Sequence, residues 1–208
     1  MPSNNLFDLI YRDDALLVVN KPAGLLAVPG RGADKQDCLS ARLQQEFPDA
    51  LVVHRLDMPT SGLMVFARGA EVQRLLSKMF HEREVEKRYV AVVAGKLETE
   101  SGEVDLPIAA DWPNRPMRII DTEIGKPSLT RYRLMGVEVS STRVELEPVT
   151  GRTHQLRVHM AAIGHPILGD ALYGDVNSAP RLLLHASSLT LAHPLSGVPL
   201  HFVSSAPF

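Results

Sequence analysis

The sequence predicts an α+β fold built around a largely antiparallel sheet. Many short apolar runs are separated by turns that contain Pro and Gly, a pattern typical of short strands. Only a few segments have helical periodicity, and they do not alternate with the strands in the regular order of a βαβ protein. A length of 208 residues is enough for one large domain or for two small subdomains.

The first elements lie within residues 15–47. Residues 15–30, "ALLVVNKPAGLLAVPG", contain apolar runs interrupted by Pro and Gly, which predicts short strands joined by turns. Apolar residues at helical spacing then predict a helix over 35–47. Asp37 is the expected N-cap of this helix, and Pro48 follows its end.

The middle of the chain contains the clearest patterns. Residues 52–67, "VVHRLDMPTSGLMVFA", predict a hairpin because two apolar runs enclose a short polar loop. An apolar stripe predicts an amphipathic helix over 70–84, and a strand is expected over 86–97. Residues 99–127 are rich in Gly, Pro and charge, which predicts a long excursion.

The remaining elements follow from similar patterns. They are a β-hairpin over 128–149, a helix over 150–164 that begins at a Thr153 cap and stops at Gly164, and final strands over 181–202.

The composition bears on membrane association, on the cellular compartment and on the class of binding partner. No apolar run approaches the roughly 18 residues of a membrane span, and residues 1–5 lack the pattern of a secretory signal. Cys38 is the single cysteine, so no intrachain disulfide can form and a cytoplasmic location is expected. The formal net charge is −2, but cations are concentrated in 68–88 and 112–133. A basic RNA-binding surface is therefore permitted.

Two polar clusters are candidates for chemistry. Arg55 and Asp57 share a face if the loop of the predicted hairpin is extended, although an Asx-turn aspartate beside a solvated arginine would give the same pattern. The second cluster lies at the start of the last predicted helix, where a solvated basic helix end is the alternative. Its members are Arg152, His154, Arg157 and His159.

The spacing of the histidines does not favour a metal site. His154 and His159 are five residues apart, so they do not share one helical face as an i,i+4 pair would. No cofactor motif is present, and we expect neither a metal nor a cofactor. The letters "HRLD" occur in protein kinases as H-R-D, but the chain lacks a glycine-rich loop and a D-F-G motif.

Five ordered blocks resemble the RluA family of pseudouridine synthases, and together they run from about residue 9 to the C-terminus. The blocks are "NKPAGLLAVPG" (20–30), "HRLDMPTSGLMVFA" (54–67), "EKRYVAVVAG" (86–95), "GRTHQLRVHMAAIGHPILGD" (151–170) and "RLLLHA" (181–186). The resemblance implies the pseudouridine synthase fold, with a central mixed sheet, flanking helices and loops, and a catalytic cleft across the sheet. Because "NKPAGL" begins at residue 20, we expect residues 1–208 to be one catalytic domain of two subdomains that share a sheet, without the S4 domain of many relatives.

The resemblance also implies an activity and a partner. The family isomerises uridine within RNA, without oxidation and without consuming water. The insertion "DWPNRPMR" at 111–118 is most similar to the A-type branch, which modifies a 23S rRNA hairpin and a tRNA anticodon loop. We therefore expect structured RNA as the partner, no membrane association, no obligate protein partner, and a monomer.

The family motifs assign roles residue by residue. Asp57 matches the catalytic aspartate, Arg157 its cationic partner, and Tyr89 the tyrosine that stacks on the flipped uracil. Arg55 matches the arginine that fills the space vacated in the RNA when the base is flipped out. Further substrate contacts are expected from His54, Thr60, Lys87, Arg152, His154 and Leu156.

Two other functional classes stay open at this level. A catalytically silent RNA-binding module could have the same fold, although an intact set of Asp57, Tyr89 and Arg157 speaks against it. A different carboxylate enzyme, such as a glycoside hydrolase, would need a second well-placed acid and access for water.

Overall fold

The structure is a computed structural model that describes residues 7–208, so the expectation about a secretory signal in residues 1–5 lies outside the described residues. The described chain forms twelve strands, three α-helices and two short 3-10 helices. In chain order the strands and α-helices are β1 (Asp8–Arg12), β2 (Leu16–Lys21), α1 (Leu39–Glu46), β3 (Ala50–Val52), β4 (Ser61–Arg68), α2 (Ala70–Glu82), β5 (Glu86–Ala94), β6 (Ser101–Asp105), β7 (Ile108–Ala110), β8 (Arg118–Ile120), β9 (Leu129–Val137), β10 (Ser141–Pro148), α3 (Gln155–Ala162), β11 (Leu184–Ala192) and β12 (Pro199–Val203).

The chain divides into two compact units. The first unit comprises the residues up to Glu86 together with Ala186–Pro207, and the second comprises Lys87–His185 with Phe208. In the first unit β1–β2, β2–β4, β3–β4 and β11–β12 pair antiparallel. In the second, β5–β10, β10–β9, β9–β6 and β7–β8 do the same. The predicted α+β class is confirmed, while the sharing of one sheet by two subdomains stays a prediction.

The core of the first unit lies between β4 and α2. Residues 61–67 of β4 are all buried, which explains their continuous apolar run, because a strand covered on both faces does not alternate. The predicted apolar stripe of α2 packs against this strand through Val72 and Leu76, with Met79 and Phe80 beside them. The predicted helix over 70–84 is thus confirmed, with its end at Glu82.

The second unit packs α3 against its sheet. Leu156 and Met160 of α3 join a cluster with Ala91 and Val93 of β5 and Val144 of β10. Every residue from Gln155 to Met160 is buried, so this helix has no solvated face along its first six residues. No helix within residues 7–208 is long and apolar enough to cross a bilayer.

Both predicted helix caps are wrong. The N-cap of α1 is Cys38, whose Sγ accepts the N–H of Ala41, whereas Asp37 turns to pair with Arg42 at 2.7 Å. The N-cap of α3 is His154, which adopts a left-handed backbone with φ of 57°. Gly164 does follow the end of α3, with φ of 84°, as the helix stop requires.

The predicted excursion over 99–127 contains three strands. β6 pairs with β9, and β7 pairs with β8 in a separate small sheet. The motif "DWPNRPMR" forms the connection between β7 and β8, closed by hydrogen bonds from Asn114 N and Nδ2 to the carboxylate of Asp111. The predicted excursion is therefore an extension of the second unit with regular strands.

Candidate active site

Asp57 lies in the loop between β3 and β4. The two strands pair in register up to Val52 opposite Phe66, so the loop begins directly after this pair. A turn is closed where the N–H of Thr60 donates to the carbonyl of Asp57 at 3.1 Å. Arg55 is exposed, Asp57 is half-buried and Thr60 is buried. The hairpin predicted for residues 52–67 is thus confirmed.

Gly62 lets β4 leave this loop in close contact with β11. Its φ is 116°, and a Cβ at this position would overlap the backbone of Ala186. Only glycine fits such a backbone angle without strain. The glycine of the "TSG" turn therefore sets the path of the loop as well as its turn.

His54 fastens the start of the loop. Its Nε2 accepts the N–H of Val65 at 3.0 Å, which implies a neutral ring protonated on Nδ1. The ring stacks on Phe80 of α2, with centroids 4.5 Å apart and planes 21° from parallel. These contacts give His54 a structural role in orienting the loop, and its expected contact with RNA stays a prediction.

Lys21 is a buried lysine beneath the same loop, and the sequence patterns did not single it out. Its side chain is fully buried at the end of β2. The ammonium donates to the carbonyls of Leu25 at 2.7 Å, of Pro22 at 3.0 Å and of Met58 at 3.0 Å. Gly24 N also donates to the Met58 carbonyl at 2.9 Å. The turn after Asp57 is therefore tied to the chain that follows β2.

Tyr89 and Lys87 lie on β5, at the start of the second unit. Tyr89 is opposite Leu146 of β10, and it is half-buried against the core cluster of this unit. Lys87 is two residues earlier and also half-buried. The strand predicted over 86–97 is confirmed over Glu86–Ala94.

Arg157 is a buried side chain on α3. Its Nε donates to Asp170 Oδ2 at 2.8 Å, and Nη2 donates to Oδ1 at 2.6 Å. Only 4% of the Arg157 side chain is exposed, and Asp170 is fully buried. The alternative of a solvated basic helix end is therefore wrong for Arg157, because the residue lies inside the second unit.

Asp170 stays ionised in this pair. Burial, the largest single effect, would raise the pKa of its carboxyl, and the hydrogen bonds and charge of Arg157 lower it. The N–H groups of Leu172 and Tyr173 lower the pKa further, so that the pKa lies below its ordinary value. Asp170 and Tyr173 belong to the segment "GDALYG", whose polar residues the sequence patterns left unassigned.

The other residues near the start of α3 support its position. Arg152 donates its N–H to Gln155 Oε1 at 3.0 Å and its Nε–H to the carbonyl of Pro127 at 3.3 Å. His154 Nδ1 lies 2.7 Å from the hydroxyl of Tyr173. Leu156 packs in the core cluster. For these three predicted substrate contacts the structure gives structural partners, and their contacts with RNA stay predictions.

Part of the predicted basic surface has acidic partners. On the sheet of the second unit, three arginines pair with three glutamates on neighbouring strands at distances from 2.7 to 3.8 Å. The pairs are Arg88 with Glu145 and Glu147, Arg131 with Glu103 and Glu147, and Arg133 with Glu145. These arginines are less available to phosphate groups than the sequence suggests. Within residues 7–208, no group of three His, Cys, Asp or Glu side chains is placed to hold a metal ion.

Residues 15–162 match the model of a protein family described as RNA pseudouridylate synthase. This chain belongs to the RNA pseudouridylate synthase family. It is 49% identical over 204 residues to the dual-specificity RNA pseudouridine synthase RluA of Escherichia coli (strain K12), which covers 96% of this chain and 93% of that protein. The protein of the same name from Haemophilus influenzae is 46% identical over 211 residues, covering 100% and 96% of the two chains.

A solved structure agrees with this family assignment. The human RNA Pseudouridylate Synthase Domain Containing 1 has a TM-score of 0.80 and 30% identity, and the match covers 100% of this chain and 87% of that one. As an RNA pseudouridylate synthase, the chain is an isomerase that modifies uridine in RNA. The resemblance stated from the five sequence blocks is confirmed.

Proposed function

We propose that this enzyme converts uridines of structured rRNA and tRNA to pseudouridine, at a 23S rRNA hairpin and a tRNA anticodon loop. The observation that carries the proposal is the 49% identity, over 96% of the chain, to a synthase named for dual specificity. We further propose that it works in the cytoplasm as a monomer without a protein partner. Sedimentation of the protein with and without a tRNA stem-loop tests the last point.

The reaction needs one carboxylate and no external reagent. The N1–C1′ bond of uridine breaks, the uracil turns, and a C5–C1′ bond forms. The C5 proton leaves and N1 gains a proton, so the atoms balance without oxidation or hydrolysis. A glycoside hydrolase needs a second carboxylate to activate water, whereas here the leaving base returns as the nucleophile.

We propose Asp57 as the carboxylate that acts on the sugar. Its support is the family motif, together with a loop that is anchored at His54, Lys21 and Thr60, because a reacting group must be held within a narrow range of positions. Attack at C1′ and formation of a glycal are two routes for the same carboxylate. Only the glycal route breaks the C2′–H bond, so deuterium at C2′ would slow that route alone.

Three further residues take the roles that the family motifs give them. Arg55, which is exposed on the loop, fills the gap left in the RNA when the uridine flips out. Tyr89 stacks on the flipped uracil and receives the C5 proton, directly or through water. Arg157 supplies the positive charge that favours the ionised form of the acting carboxylate. Lys87 contributes to the charge of the site.

The test compares Asp57→Asn with Asp14→Asn, a control at an exposed aspartate of the same unit. Total RNA is incubated with each protein, and pseudouridine is mapped by sequencing. We expect Asp57→Asn to lose at least about a hundredfold in rate, with RNA affinity within about threefold of wild type. Asp14→Asn should match wild type.

The same assay separates the competing functions. Release of free uracil by the wild-type protein would identify a hydrolase, and tight binding without any modified base would identify a silent RNA-binding module. Turnover by Asp57→Asn would remove the proposed role of this residue. Modification of rRNA alone or of tRNA alone would refute the dual substrate range and leave the isomerase activity standing.

A further inference from the structure

The guanidinium of Arg157 is held in one plane by Asp170. Two parallel hydrogen bonds, at 2.8 and 2.6 Å, join its Nε and Nη2 to the two carboxylate oxygens. Such a two-point contact fixes rotation as well as position. Both side chains are buried, so water offers little competition for the pair.

The Asp170 carboxylate does not move with the Arg157 side chain, because hydrogen bonds to backbone groups fix its position. Its Oδ1 also accepts the N–H of Leu172 at 2.9 Å and of Tyr173 at 3.2 Å. The N–H of Asp170 donates to the carbonyl of Ile167, and the Asp170 carbonyl accepts the N–H of Gly174. The carboxylate therefore directs the guanidinium.

Tyr173 borders the same guanidinium from another side. Its ring centroid lies 5.1 Å from Cζ of Arg157. Its hydroxyl accepts the N–H of Arg118, at the start of β8, at 2.8 Å and contacts His154 Nδ1 at 2.7 Å. Arg157 thus has a carboxylate at one edge and an aromatic ring nearby, both from one short segment.

The two-point pair sets the orientation of the whole guanidinium. Arginine has five N–H groups, and Asp170 accepts two of them. The N–H groups outside this pair then point in directions that Asp170 determines. A charge that must act on one carboxylate or one phosphate is useful only when its direction is set.

We infer that Asp170 is a positioning residue of the isomerase, which sets the direction in which Arg157 presents its charge. The inference rests on the proposed role of Arg157 in the reaction. It predicts that the position of the Asp170 carboxylate matters, and that its negative charge alone is not enough.

The test uses two substitutions that separate position from charge. Asp170→Glu keeps the charge but moves the carboxylate by one methylene, and Asp170→Asn keeps the shape but offers an amide to an N–H of Arg157. Asp175→Asn is the matched control five residues later, because Asp175 is exposed and its carboxylate accepts the N–H of Asn177, outside the ion pair. Single-turnover rate, RNA affinity and Tm are measured for each protein on one tRNA stem-loop.

We expect Asp170→Glu and Asp170→Asn to lose about a hundredfold or more in single-turnover rate, since a displacement of about 1 Å can have that effect. RNA affinity should stay within about threefold of wild type, because the contact between Asp170 and Arg157 does not involve a phosphate group. Asp175→Asn should keep a rate within about threefold of wild type. In an Arg157→Ala background, Asp170→Glu should have no further effect on rate, because the two residues act as one unit.

Other outcomes overturn the inference. A wild-type rate in Asp170→Glu would mean that charge balance is the whole role of the residue. Loss of the folded state in both variants, or full additivity with Arg157→Ala, would assign the carboxylate to folding. If Arg157→Ala itself has the wild-type rate, the proposed role of Arg157 fails. If Arg157→Ala is slow but Asp170→Glu is fully active, the role of Arg157 stands and only the positioning role of Asp170 fails.

Discussion

Replacing Lys21 with methionine tests how the Asp57 loop is held. Methionine keeps the length and the apolar stem of the side chain but removes the ammonium group. Three backbone carbonyls, those of Pro22, Leu25 and Met58, then lose a charged donor. The Met58 carbonyl keeps the N–H of Gly24, so the carbonyls of Pro22 and Leu25 are the ones that lose their donor.

The expected loss of stability follows from these contacts. The Leu25 carbonyl accepts in a buried hydrogen bond, and a buried carbonyl without its donor costs about 1–3 kcal/mol, whereas the Pro22 carbonyl is only partly buried and can be hydrated instead. The substitution also removes a buried charge, whose desolvation opposes folding in the wild type. We therefore expect the free energy of unfolding to fall by about 1–3 kcal/mol, which is a sizeable part of the usual 5–15 kcal/mol.

The assay is urea denaturation of Lys21→Met beside Lys78→Met. Lys78 lies on the exposed side of α2, 3.8 Å from Glu82, with 67% of its side chain exposed. Its loss should change the free energy of unfolding by no more than about 0.5 kcal/mol. Lys21→Met should also slow single turnover more than it weakens RNA binding, because the turn after Asp57 loses an anchor. Equal stability of the two variants would refute the reasoning.

The remaining predictions concern His159 and Tyr89. Burial lowers the pKa of His159, against smaller raising effects of its hydrogen bond to the Leu106 carbonyl and of Asp105. The unfolded chain therefore takes up this proton first, and the free energy of unfolding should fall as the pH drops below about 6.5. Urea denaturation at about pH 7.5 and about pH 5.5 should show a smaller difference for His159→Gln than for wild type. Tyr89→Phe should bind RNA nearly normally but release tritium from C5-labelled uridine slowly, whereas Tyr89→Ala should also lose about 1–3 kcal/mol of stacking. Tritium release by Tyr89→Phe at the wild-type rate would leave only the stacking role.

The sequence predicted the elements whose apolar pattern is strong. The hairpin around Asp57, the helix α2 and the strand β5 were all recognised from periodicity. β6 was missed because it lies at the edge of its sheet, contains one buried residue, Val104, and is held to β9 by backbone hydrogen bonds that leave no apolar pattern. Periodicity detects burial, so it does not detect a strand that stays at the surface.

The motifs proposed Asp57 and Arg157 as site residues, and their roles stay predictions, but the motifs did not reveal the residues that hold them in place. Lys21 at the end of an apolar strand has the sequence pattern of a solvated residue. Asp170 lies thirteen residues after Arg157, and no local spacing rule predicts that the chain returns to form a two-point ion pair. Contacts between charged groups that are distant in sequence depend on tertiary structure.

Each of the two candidate segments contains a buried charge with hydrogen-bond partners in its own unit. Lys21 is surrounded by carbonyls in the first unit, and Arg157 is paired with Asp170 in the second. Apolar replacements of buried ion pairs are often neutral or stabilising, so stability alone is a poor reason to keep such groups. Apolar packing fills the core but does not fix the direction of a particular polar group. Three carbonyls around one ammonium define where the turn after Asp57 lies, and a two-point carboxylate defines the plane of a guanidinium. The proposed reaction, with Asp57 as its single carboxylate, needs this orientation, because a small displacement of one group is not compensated by a second.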